Sequence, residues 1–506
     1  MGRVDHSKLR KGWEAPKNSI SSWRRGVAEL SDPSEKKCLT MRRRTMRTDI
    51  RGKDVLADLA QALPDSAVLT DPEVLESFRR DQATFVEAGV PLAVVRPTST
   101  GEVQEVLRIA SRHGAPVVPR GAGSGLSGGA NAVDGCLILS LAEMDRIVGI
   151  DRRSLFAVVE PGVVNADLSR AAAELGLWYP PDPASAEFAT LGGNIATNAG
   201  GMCCVKYGVT RDFVLGLEVV RADGSVVRTG RKTVKGVAGY DLTGLFVGSE
   251  GTLGVITQAT LRLRPASEPP ATLVAFFPDL TSAGVAVAQI ASRVVPMILE
   301  LMDRATVRAV EEWKQLGLDV DAAALLLARS DAGGDQAARD TERMARMCES
   351  AGATFVARSS DPIESDLLMT ARRLAFHALE RQGSTMPDDV AVPIGRIPEL
   401  LQAIQETAAR HGLLIGTFGH AGDGNMHPTI VFDANDAEEA GRARFAFEEI
   451  LQTTLGLGGT ITGEHGVGLL KRPYLGAEIG EDGLRLQLAI KRVLDPLDIL
   501  NPGKVL

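Results

Sequence analysis

Residues 120–130 read Arg-Gly-Ala-Gly-Ser-Gly-Leu-Ser-Gly-Gly-Ala, five glycines in eleven positions, directly after a strand-like apolar run at 115–119. With no Cβ in the way, the N–H groups of such a turn can close around an anion, and a diphosphate is the natural guest. A Rossmann dinucleotide site needs a helix to open straight after its glycines. Here Asn131, Asp134 and Gly135 follow, and then a second strand-like run at 136–141. The loop therefore argues for a phosphate-bearing cofactor and against nicotinamide.

Two more small-residue segments follow in the same stretch of chain. Pro-Pro-Asp-Pro-Ala-Ser at 180–185 leads into Thr-Leu-Gly-Gly-Asn-Ile-Ala-Thr-Asn-Ala-Gly-Gly at 190–201, and Gly-Ser-Glu-Gly-Thr-Leu-Gly-Val-Ile occupies 248–256. Asn194 and Asn198 can each offer donors and an acceptor to a heteroaromatic edge. Hairpins alone explain three such segments poorly. One large, flat, phosphate-bearing cofactor threaded through the domain explains them all.

Around them the pattern predicts ordinary elements. Ser99 and Glu102 form a capping box for a helix that buries Val103, Val106, Leu107 and Ala110 and stops near Gly114. Short β-rich runs fall at 147–150 and 155–159, Asn165 is placed to cap a helix reaching Leu175, and a strand is expected at 260–263. From residue 271, strands at 273–277, 297–302 and 323–328 alternate with helices at 282–294 and 335–351, which predicts a separate α+β layer.

Composition excludes several classes. A net charge of −8 argues against nucleic acid as partner. Five cysteines without a C-x-x-C spacing argue against an iron–sulfur cluster or cysteine-type zinc site in this chain, and for a reducing, cytoplasmic setting. No apolar run is long enough for a transmembrane segment, and peripheral attachment to the inner face of a membrane stays open. Residues 1–52 carry fourteen Lys and Arg against six Asp and Glu, which leaves −16 on the rest. This stretch is expected to be a disordered tail or an over-extended start, with a basic arm for an acidic lipid surface as the alternative.

Only seven histidines occur, and three fall in glycine-rich loops: His420 and His427 in Gly-His-Ala-Gly-Asp-Gly-Asn-Met-His, and His465 in Gly-Glu-His-Gly beside Glu464. Imidazole with carboxylate suits zinc, and less exclusively manganese or iron.

Taken together, the 120–130 loop, Pro-Asp-Pro-Ala-Ser at 181–185, Leu-Gly-Gly-Asn at 191–194 and the 248–254 segment resemble the FAD-binding domain of the vanillyl-alcohol-oxidase type. The likeness is closest to the FAD-linked D-2-hydroxy acid dehydrogenases and covers roughly residues 54–506. It implies an α+β architecture: an FAD-binding domain at 53–267, a substrate or cap domain at 268–455, and a C-terminal segment at 456–506 that returns to the flavin. Ser124 stands where some members carry a flavin-linked histidine, so non-covalent FAD is implied. The resemblance places FAD against Pro119, Arg120, Gly121, Ala122, Gly123, Ser124, Gly125, Leu126, Pro183, Ser185, Gly192, Gly193, Asn194, Asn198, Glu250, Gly254, Ile256, Asn425 and Asn501. It implies a divalent metal on His420, His427 and Glu464, with His465 as acid–base.

Arg372, on a segment resembling the family's arginine-bearing helix, is implied for the substrate carboxylate. The 2-hydroxyglutarate enzymes carry a Lys near the position of Thr385-Met386-Pro387, and its absence points away from a dicarboxylate. The expected activity is oxidation of a small D-2-hydroxy acid, D-lactate in first place, with hydride transfer to flavin N5. The electron acceptor is left open among cytochrome, quinone, electron-transfer flavoprotein and an iron–sulfur subunit. A glycolate oxidase flavin subunit and an alkylglycerone-phosphate synthase are the alternative readings.

Overall fold

The computed structural model describes residues 52–233, 235–266 and 268–506, so the basic segment lies outside it but for its last residue. Val55–Leu506 forms one compact unit.

The first sheet is short and buried. Strands Ala93–Val95, Leu137–Ser140 and Val117–Arg120 run parallel, and Val68–Leu69 adds antiparallel to Ala93–Val95. A parallel strand covered on both faces needs an unbroken apolar run, and Leu137–Leu139 is wholly inaccessible. The helix Thr100–His113 packs onto it through Val103, Val106, Leu107 and Ala110, as the periodicity predicts. Ser99 accepts the Glu102 N–H, while the Glu102 carboxylate takes the Thr98 N–H, one residue earlier than a capping box requires. Gly114, at φ 61°, closes the helix.

The second sheet is antiparallel, with strand Val255–Arg262 between Phe156–Val159 and Val214–Val220. Its middle strand starts directly after Gly254, five residues before the predicted 260: the third glycine segment turns at 249–252, where Thr252 N–H donates to Ser249 O, and runs straight on into the strand. The segment at 190–201 also differs from expectation, because Leu191–Thr197 is a helix with Thr190 accepting the Gly193 N–H. Asn165 is the first residue of a helix rather than its cap. Its buried side chain donates to Pro181 O and Asn194 Oδ1, joining two cofactor-side segments.

The third sheet has eight strands, and at its middle Ile298–Asp303 pairs antiparallel with Leu414–His420, which forms a hairpin with Asn425–Phe432. After the helical stretch Arg472–Leu494, broken into two helices at the non-helical Gly480, the chain returns to the first sheet. Val117 donates to Ile499 O and accepts from the Asn501 N–H, both at 2.7 Å. Among the described residues no helix is long and apolar enough to cross a membrane.

Candidate active site

One cavity of about 1230 Å³ runs from the glycine loop to the histidines. That exceeds the roughly 300–1,000 Å³ of an ordinary small-molecule pocket. Pro119, Arg120 and Gly121 to Leu126 line one end, with Pro183, Ser185, Gly192, Gly193, Asn194, Glu250, Gly254 and Ile256 along the wall. At the far end are Arg372, His420, His427, Glu464 and His465.

The glycine end has little room for side chains. A Cβ on Gly121 would stand 2.2 Å from Thr190 Oγ1, and Gly123 lies at φ 74°. Arg120 is buried, stacks its guanidinium 5.6 Å over Phe78 and donates Nη2 to Arg80 O, but its buried Nη1 has no partner. A buried guanidinium donor without an acceptor is costly. An anionic guest in the cavity would supply that acceptor, so the residues fit a diphosphate. Glu250 accepts the N–H groups of Val467 and Gly468, which ties the wall to the Glu-His loop. Burial outweighs those two bonds and pushes its carboxyl up to about 7.

Three asparagines expected against the flavin do not line the cavity. Asn198 ends the 191–197 helix in the left-handed conformation and accepts the Arg211 N–H. Asn425 donates to Asp389 Oδ1 and Val390 O, and Asn501 donates to Gly129 O and Glu250 O. A carboxamide matches a peptide group, so each satisfies backbone or carboxylate groups that would otherwise be orphaned.

The histidine end is set by strand register. His427 lies opposite Phe418, and His420 is two residues along from Phe418, so both histidines share a sheet face. Their rings stand 5.1 Å apart and nearly perpendicular. Glu464 Oε1 reaches 3.3 Å from His420 Nε2 and 3.4 Å from His427 Nε2, and the His465 ring stacks on His427 at 5.2 Å. Burial favours neutral imidazole and pulls His427 down to about 3. For His420 burial acts the same way, but the carboxylates of Glu300 and Glu464 outweigh it and hold the pKa well above the usual value. Burial would raise Glu464, yet the imidazoles, His420 foremost, bring it to about 2. One ligand atom from each of His420, His427 and Glu464 falls within 4.8 Å of the others. Two imidazoles and a carboxylate are a donor set that zinc accepts with a position left open. The residues fit a divalent metal.

Two carboxylates absent from the expected set organise this end. Glu300 is wholly buried, with Oε1 2.7 Å from His420 Nδ1 and Oε2 2.6 Å from Arg372 Nε. Arg372 places its guanidinium 4.7 Å over Phe418. Asp389 Oδ2 accepts from Thr462 Oγ1, Glu464 N and His465 N, which fixes the Glu-His loop. The signal for Glu300 was a lone acid inside a strand-like run, since a buried carboxylate is seldom without a partner.

Comparison with known proteins gives a consistent picture. Residues 267–505 match the family described as FAD linked oxidases, C-terminal domain, and residues 91–230 match the FAD binding domain family. Glycolate oxidase subunit GlcD of Bacillus subtilis is 44% identical over 84% of this chain and 90% of its own. A D-lactate dehydrogenase of Anaerostipes hadrus is 35% identical over 87% of this chain and 94% of its own. Among solved structures, 4-ethylphenol oxidase from Gulosibacter chungangensis superposes with a TM-score of 0.75 at 20% identity, covering 90% of this chain and 97% of that one.

Proposed function

Because the chain belongs to the FAD-linked oxidases and has the vanillyl-alcohol-oxidase type of α+β fold, we propose that this FAD-binding oxidoreductase oxidises a small D-2-hydroxy acid, D-lactate in first place, to the 2-oxo acid. The observation that carries the reading is the single cavity shared by the glycine loop and by Arg372, His420, His427, Glu464 and His465.

Each group has a role its chemistry suits. The segments at 119–126, 183–194 and 250–256 hold non-covalent FAD, with Arg120 on its diphosphate. Bound FAD supplies the hydride acceptor. His420, His427 and Glu464 hold a divalent metal, zinc by the donor set and manganese or iron as alternatives, which would polarise the substrate hydroxyl. The Arg372 guanidinium takes the substrate carboxylate; its Nε is committed to Glu300, and its two terminal nitrogens make no hydrogen bond among the described residues. His465 receives the hydroxyl proton. Its backbone N–H is held by Asp389 and its ring lies flat on His427, so the imidazole has a fixed pose.

The monocarboxylate preference rests on charge. Arg373, the neighbouring cation in the cavity wall, is already paired with Asp366, and Thr385 lines the wall where a second carboxylate would need a cation. A second reading, glycolate as substrate, is favoured by the 44% identity to a glycolate oxidase subunit. On either reading electrons must leave for an acceptor outside this chain.

Anaerobic titration of the flavin absorbance separates these readings. Bleaching by D-lactate is the expected result, and bleaching by glycolate alone selects the second. No bleaching by either, nor by D-2-hydroxyglutarate, with FAD and metal both bound, overturns the proposal.

A further inference from the structure

Among the described residues, Glu300 is the side chain that hydrogen-bonds both the arginine and a histidine of the site. It stands on the strand Ile298–Asp303, beside the His420 strand in the eight-stranded sheet, and is wholly buried. Both of its oxygens are used, one by His420 Nδ1 and one by Arg372 Nε. An ionised carboxylate only accepts, and guanidinium only donates, so His420 must carry its shared proton on Nδ1.

Resting on the roles proposed above for His420 and Arg372, we propose that Glu300 is a positioning residue that sets both: it holds the lone pair of His420 Nε2 toward the metal position, and it fixes the plane in which Arg372 meets the substrate carboxylate. Among the described residues, neither His420 Nδ1 nor Arg372 Nε has a second protein acceptor to replace it. Glu464 lies on the opposite ring nitrogen of His420, and the other contact of Arg372 is the face of Phe418.

The chemistry of an amide makes the idea testable. In Glu300→Gln one oxygen becomes a donor. Arg372 cannot release its proton, so the amide oxygen goes to Arg372 and the NH2 faces His420 Nδ1. The imidazole proton is then driven to Nε2, where it blocks the lone pair that a metal needs. FAD-loaded protein stripped of metal with a chelator is titrated calorimetrically with zinc. Glu300→Gln should bind zinc about 10–100-fold more weakly than the unmodified chain, with flavin content and thermal midpoint retained. Affinity for pyruvate, read from the flavin spectrum of metal-free protein, should fall less, because the amide oxygen still serves Arg372. A loss confined to metal affinity is something a packing role alone would not produce.

Glu300→Asp is the second variant. It keeps the charge but is one methylene too short to span both partners, so it too should weaken zinc. Unchanged zinc affinity in whichever variant folds with FAD overturns the role of Glu300. If the unmodified chain binds no zinc, manganese or iron, the metal reading itself fails, and the inference about His420 falls with it.

Discussion

The two ends of the cavity are built by opposite means. At the glycine end the work falls to backbone: Gly121 leaves 2.2 Å between a would-be Cβ and Thr190, Gly123 turns at φ 74°, and the nearest strands are adjacent in sequence. At the histidine end it falls to side chains brought from residues 300, 372, 389, 420, 427 and 464–465. A backbone site is encoded by a contiguous stretch, because removing side chains is a local instruction. A side-chain site is encoded by which strands become neighbours. The first end should therefore respond to shape and the second to charge and proton position.

The sharpest way to break that comparison is His465→Ala. If the histidine end carries the proton transfer, turnover of the hydroxy acid should fall about 10²–10⁴-fold, while flavin content stays at the unmodified level. Steady-state kinetics with an artificial acceptor, together with the absorbance ratio of flavin to protein, measure both. Retained turnover would remove His465 as the base and leave the two ends without separate tasks.

The same contrast explains what could be read from sequence. The loop at 120–130 and the helix Thr100–His113 follow from local rules of glycine placement, capping and apolar period, and the structure has them where those rules put them. His420 and His427 were visible because glycines surround them. Glu300 was not, because a single acid in an apolar strand gains meaning only when His420 becomes its neighbour 120 residues later. The three asparagines 198, 425 and 501 differ in another way, because their amides are engaged within the protein. Asn198 suits a heteroaromatic edge and the resemblance places Asn425 and Asn501 at the flavin, but the backbone around them has polar groups of its own, and the amides bond to those.

Asp389→Asn tests the histidine end one contact further out. Asp389 is wholly buried, and burial alone would raise its carboxyl; His465, Lys471 and His427 outweigh that and hold it well below the usual range. The neutral variant must turn an NH2 toward either the Glu464 and His465 N–H groups or the Asn425 amide, which also donates. Metal affinity should drop about 10–100-fold, as measured by zinc titration, with the glycine end still filled by FAD. Loss of FAD instead would mean that the two ends cannot be separated.

The reverse experiment is Gly123→Ala. An L-residue at φ 74° costs about 1–2 kcal/mol, and the added Cβ would meet Arg120 Nη2 at 2.1 Å. Arg120 is the cation proposed for the diphosphate, so displacing it should weaken FAD about tenfold, read by fluorescence when apo-protein is refilled. Zinc affinity should be unchanged.

Gly101→Ala is the smallest effect and guards the argument about glycine. Gly101 sits inside the helix Thr100–His113, where its would-be Cβ finds only Ser99 Oγ, 3.9 Å away. Nothing there needs the absence of a side chain, and glycine in a helix gives up about 0.5–1 kcal/mol relative to alanine. The variant should therefore raise the thermal midpoint by about 1 °C or less and leave FAD affinity alone. Had glycine been tolerated throughout this stretch merely as a flexible filler, positions 101 and 123 would respond alike. Opposite signs at two glycines 22 residues apart would show that the loop's glycines are required by the space they leave open.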